Sequence, residues 1–293
     1  MHVLTGFAVA FAAVAGLHTA VTAHDPPGTI FPMWQWPASH LPVLDGDLSE
    51  WQVIPEEFWF TTFDLNDRVQ GRGAQPDMAD YNVRFAFAWN DEFDRIYMAW
   101  EGTDDYWSVQ RDYLELAVDA DHSGGVFGRG SAEPNRQAQA ARLYLNGQEE
   151  LIGAPSWNWH WLTEADWYRQ QPYSHGCFVW TEPQPGEQYR LSLEMYHIWW
   201  DDFNAAGPEA SVQHDFTETN IIGLAIRNLD GDEGQCCGEA TGEVLSDWGL
   251  NFGDASETAD FFTDWVLIPA DEEGAATVVE GDTWGYIKAS LAR

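Results

Sequence analysis

The sequence predicts an all-β fold, an antiparallel β-sandwich, and three observations carry that prediction. Short runs alternate apolar and polar residues with the period of a strand, and Gly, Pro, Asp and Asn punctuate them. Helical patterns do not alternate with the runs, as a parallel α/β sheet would require. In residues 83–89 the apolar positions are Val83, Phe85, Phe87 and Trp89, and in 95–101 they are Ile96, Met98 and Trp100. The polar turn of residues 90–94 joins these two runs into a hairpin. Residues 113–119 set Leu114, Leu116 and Val118 on one face, and Leu143 with Leu145 marks another strand. Further strands are expected over 189–195, 221–226, 248–252 and 261–268. Only 133–142 and a short turn over 199–204 read as helical.

Around this domain, assigned to residues 42–270, lie three other segments. Residues 1–23 hold no charged residue and end in Val21-Thr22-Ala23, the small-x-small pattern of a secretory leader, so the product is expected in the periplasm or outside the cell. Residues 24–41 are rich in Pro and Trp and read as an extended arm, not a regular element. Residues 271–293 form a C-terminal extension. Three cysteines would enter an oxidising compartment, and a disulfide from Cys177 to Cys236 or Cys237 is the expectation, with a vicinal Cys236–Cys237 bridge as the alternative.

Composition excludes whole classes of partner. With 48 Asp plus Glu against 13 Lys plus Arg, the net charge is −35, and such a surface repels nucleic acid and anionic membranes. Disorder is excluded too, because 45% of the chain is hydrophobic and it holds 17 Trp, 16 Phe and 10 Tyr. Lys288 is the sole lysine, a bias that suits a surface adapted to salty water.

The aromatics concentrate in an expected insertion of about residues 125–180, a loop region carrying Trp157, Trp159, Trp161 and Trp167 among amides and charges. Indole faces pack on the C–H faces of sugar rings while amides and carboxylates bind hydroxyls, so these four are the candidate sugar-stacking residues. The alternative is that the rings cover the sheet as a lid.

The run Leu44-Asp45-Gly46-Asp47-Leu48-Ser49-Glu50-Trp51 resembles the opening of family 9 carbohydrate-binding modules and DOMON-like sandwiches. Ala88-Trp89-Asn90-Asp91, the acidic exit Thr103-Asp104-Asp105, the strand from Arg111 through Asp112 to Asp119, and the run from Ile222 to Asp232 resemble later parts of the same pattern. The resemblance implies a jelly-roll-like sandwich that binds poly- or oligosaccharide without catalysis, often with calcium holding its loops.

Asp119, Asp121 and Ser123 offer oxygens at alternate positions of a turn, as a calcium loop does, although Gly130 stands where an EF-hand needs Glu. Asn228, Asp230 and Asp232 form a second alternating set. The calcium candidates are therefore Asp119, Asp121, Asp230 and Asp232, with a solvated acidic turn as the alternative. Trp51 reads as core and Asp45-Gly46-Asp47 as the turn before it. Glycoside cleavage would need two carboxylates across a cleft, and 48 acids give no pair any distinction. Copper on His24 would need the leader cut after Ala23 and a second histidine. Haem would need an axial Met such as Met78, Met98 or Met195, of which the last two sit at core-like strand positions.

Overall fold

The computed structural model describes residues 25–106, 112–144, 156–159, 165–181, 184–231 and 245–270, the backbone alone being described at 144, 156–159 and 245. The fold is all-β, and among the described residues the only helical turns are short 3-10 segments. The strands are β1 (Ile30–Gln35), β2 (Phe60–Thr61), β3 (Asn66–Asp67), β4 (Tyr81–Asn90) and β5 (Arg95–Asp104), then β6 (Tyr113–Asp119), β7 (Gln139–Tyr144), β8 (Ser156–Trp159), β9 (Ser174–Thr181) and β10 (Tyr189–Ile198). After these come β11 (Trp200–Asp202), β12 (Val212–Gln213), β13 (Ile221–Gly231), β14 (Leu245–Gly249) and β15 (Thr263–Leu267).

A continuous hydrogen-bonded path runs β8-β7-β6-β13-β15-β1-β4-β5-β10-β9, with β14, β3 and β2 attached beside it, and β11 and β12 form a separate pair. All pairings are antiparallel except those of β1, which runs parallel to β15 through residues 30–33 and parallel to β4 through Trp34 and Gln35. β1 thus joins the two halves of the path.

This corrects the reading of residues 24–41 as an arm without regular structure. Pro32 does not interrupt the strand, because successive residues point their backbone groups to opposite sides. The carbonyl of Met33 accepts from Ile268 N at 3.1 Å, so the position of the missing Pro32 N–H faces away from β15. The helix expected over 133–142 is absent too. Its second half is β7, paired with β6, because Ala140 packs beside Ala117 and Ala225 under Phe127 and Phe262. The turn expected over 199–204 contains β11, and the stretch expected as an inserted loop supplies β7, β8 and β9. Other strand expectations hold: the 83–101 hairpin is β4–β5, residues 113–119 are β6, and the runs over 189–195, 221–226 and 261–268 are β10, β13 and β15, whereas β14 shares only Trp248 and Gly249 with the run expected over 248–252.

One core draws on both halves. Phe85, Phe87, Trp89, Met98, Trp100, Leu193 and Met195 come from β4, β5 and β10, and Leu114, Leu116, Leu224, Ile226 and Trp265 from β6, β13 and β15. Met98 and Met195 face each other in this apolar interior as packing residues. On the opposite face of β4, β5 and β10, small residues Ala86, Ala88 and Ala99 admit a second layer from residues 34–59. There Trp34, Trp36, Trp51 and Trp59 form an edge-to-face series with centroids 4.8, 5.5 and 6.5 Å apart. Among the described residues ten tryptophans are buried, Trp51 among them as expected. Much of the tryptophan content is therefore packing.

Cys177 carries a free, buried thiol in β9, which corrects the expected disulfide at that position. It packs beneath the Gly46 turn, 3.6 Å from where a Gly46 Cβ would stand. Cys236 and Cys237 lie outside the described residues.

Candidate functional site

Among the described residues, two clusters of polar groups are candidates for a ligand site. The first lies where β5 ends, β6 begins and β13 nears its end. Alternation along β6 turns Leu114, Leu116 and Val118 to the core, so Asp112, one step before the strand, falls on that side. Leu229 pairs with Tyr113, which sets Asp230 opposite Asp112. Asp104 arrives from β5, four residues after Trp100, whose indole N–H donates to Asn228 Oδ1 at 2.9 Å and ties β5 to β13. Gly102 between them has to lack a side chain, since a Cβ would stand 2.6 Å from the Trp100 ring.

Asp104, Asp112 and Asp230 are all buried, and an oxygen of each lies within 4.8 Å of the others. Each carboxylate accepts a hydrogen bond. Asp104 Oδ1 accepts from Tyr106 N at 2.8 Å, Asp112 Oδ1 from Gly231 N at 2.8 Å, and Asp230 Oδ2 from Ser246 Oγ at 2.9 Å. Asp104 Oδ2 is buried without a hydrogen-bond partner. Burial, and then the charges of Asp112 and Asp230, push the Asp104 carboxyl up to about 9. Burial and the same aspartates also raise the Tyr81 hydroxyl.

The second place is an open groove of about 570 Å³ on the opposite face of β4, β5 and β10. Asp47, Gln52, Glu56, Trp59, Arg84 and Glu101 supply its chemistry. Arg84 Nη2 meets Glu56 at 2.5 Å and Nη1 meets Glu101 at 3.3 Å, while the guanidinium lies 4.1 Å above the Trp59 ring. The turn that walls the groove hangs on buried Glu194, which accepts from Asp45 N at 3.1 Å, Gly46 N at 2.7 Å and Trp51 Nε1 at 2.7 Å. Burial raises the Glu194 carboxyl, and these three donors offset part of that rise. Gly46 sits at φ +87°, and a Cβ there would be 2.3 Å from Val179 Cγ2.

Of the expected calcium residues, Asp230 is the one that meets other carboxylates from distant strands. Asp119 lies at the far end of β6, paired with Gly223, and folds its own loop: Oδ2 accepts from Gly124 N at 2.6 Å and Oδ1 from Ser123 N at 3.2 Å. Asp121 Oδ1 also accepts from Ser123 N, and burial raises the Asp119 carboxyl to about 6. Asp232 lies outside the described residues, as do Trp161 and His24. β8 sets Trp157 opposite Leu143 and Trp159 opposite Ala141. Trp167 is half-buried, stacked on Phe203 at 5.4 Å with edges toward Tyr173 and Trp200, and its indole donates to Ala205 O.

Sequence reasoning did not single out Asp104 and Asp112 as ligands, nor Arg84 and Glu101 as groove residues. Their signal was present: once Val83, Phe85 and Trp100 are assigned to the core, alternation turns Arg84 and Glu101 away from it. No family model matches this chain, and no curated protein matches it.

Proposed function

We propose that this chain is an exported, non-catalytic carbohydrate-binding protein whose two half-sheets close face to face as an antiparallel β-sandwich. The shared core and the Trp100–Asn228 hydrogen bond between the halves support the sandwich. The observation that carries the sugar reading is the groove beside Arg84. Its volume of about 570 Å³ suits one or two sugar rings, and its carboxylates, amide and guanidinium are the planar groups that pair with vicinal hydroxyls. Three acids against one arginine favour a neutral glycan over an anionic one, in keeping with the charge of −35. The wall of the groove is the Gly46–Ser49 part of the run that resembles family 9 modules.

A glycan array probed with the full chain, followed by titration of its tryptophan fluorescence, tests the reading. Retention of a neutral glycan and its loss in Arg84→Ala is the expected result. Retention of none overturns it. Binding that survives Arg84→Ala but fails in Trp157→Ala or Trp159→Ala would move the sugar to the aromatic cluster.

A further inference from the structure

We infer that Asp104, Asp112 and Asp230 form a calcium site that clamps the exit of β5, the entry of β6 and the end of β13. The inference does not depend on the sugar reading. Its first support is geometric: three carboxylates from three chain segments converge with oxygens within 4.8 Å of one another. Two oxygens on opposite sides of a Ca²⁺, each at about 2.4 Å, are separated by about that distance. The second support is independent of the clustering. Asp104 is 0% exposed, and its Oδ2 has no hydrogen-bond partner, an arrangement that leaves a buried carboxyl oxygen unsatisfied unless a proton or a metal ion binds there.

The donor set suits a hard cation. All three groups are hard carboxylate oxygens, with no imidazole or thiolate among them, so zinc and copper are disfavoured. The anchors from Tyr106 N, Gly231 N and Ser246 Oγ fix the carboxylates in place, as the groups behind a metal's ligands do. Trp248 extends the support by donating its indole N–H to Ser246 Oγ at 2.9 Å.

The test uses the full chain, stripped with chelator and returned to Ca²⁺ at moderate salt and pH 8. Calorimetric titration is expected to show a site lost in Asp104→Asn, and Ca²⁺ is expected to raise the wild-type melting midpoint by about 5 °C or more. Asp104→Asn keeps the shape of the side chain but no longer has to take up a proton on folding, so this variant should melt higher than the metal-free wild type while losing the response to Ca²⁺. Asp112→Asn should likewise lose the response. A wild-type midpoint that ignores both chelator and Ca²⁺ overturns the inference. So does an Asp104→Asn protein that keeps the full Ca²⁺ shift, which would place the metal elsewhere, for instance at Asp119 and Asp121.

Discussion

β6 and β13 bury acids on both of their faces, and the two faces treat them differently. On the core face stand Asp112 and Asp230, met by Asp104. On the other face Glu115, 1% exposed, is paired with Arg142 Nη2 at 3.1 Å and Arg227 Nη1 at 3.2 Å, and Arg227 continues to Asp247 at 2.7 Å, which also meets Arg68 at 2.6 Å. Three arginines thus answer two acids there, in a chain with few basic residues to place. What a strand can bury is therefore decided by the partners it meets: protein cations hold the paired face, whereas Asp104 at the core face needs a proton or a metal ion.

The largest expected effect breaks the paired face. Arg227→Leu removes the bridge between Glu115 and Asp247 and should cost about 3 kcal/mol in denaturant unfolding, because a buried carboxylate loses a partner that water cannot replace. A loss under about 1 kcal/mol would mean that Arg142 and Arg68 alone suffice. Next comes Gly46→Ala, where a positive φ and the approach of Val179 should cost about 2 kcal/mol and weaken glycan retention together, since the turn walls the groove. Arg84→Leu should change stability by less than about 1 kcal/mol, because its pairs with Glu56 and Glu101 are solvent-exposed, yet abolish binding.

The core face gives a pH signature of the opposite sense to ordinary acid denaturation. The Asp104 carboxyl sits at about 9 in the folded protein and at about 3.9 in the unfolded chain. Between those values the folded state keeps a proton that the unfolded state releases, so this group makes the metal-free protein lose stability as pH rises from about 4 to about 9. Melting curves with chelator across that range should show the decline, and Asp104→Asn should flatten it. A wild-type slope unchanged by the variant would assign the decline to other groups.

Strand existence was legible because alternation is local: each of β4, β5, β6, β10 and β13 announces its core face through every second residue. β1 was not legible, since a segment with prolines on its flanks and one within it looks irregular until parallel partners on both sides are known. The 133–142 segment misled for a related reason. Its alanines satisfy helical propensity, but their small size serves the close approach of Phe127 and Phe262. Tryptophans outside the 157–167 cluster fill layers on both faces of the β4–β5–β10 strands, a packing role that their spacing along the chain did not distinguish from a binding one.

The sequence by itself determined the all-β class, the principal strands, the acidic surface and the turn of Asp45-Gly46-Asp47 before a buried Trp51, since each follows from composition or from neighbours a few residues apart. Only the tertiary structure decided that Asp104, Asp112 and Asp230 meet, that Glu194 holds a turn almost 150 positions away in the chain, and that Cys177 stands free. These depend on which strands pair and on which face each residue falls, and no local pattern encodes the distance between residues so far apart in the chain.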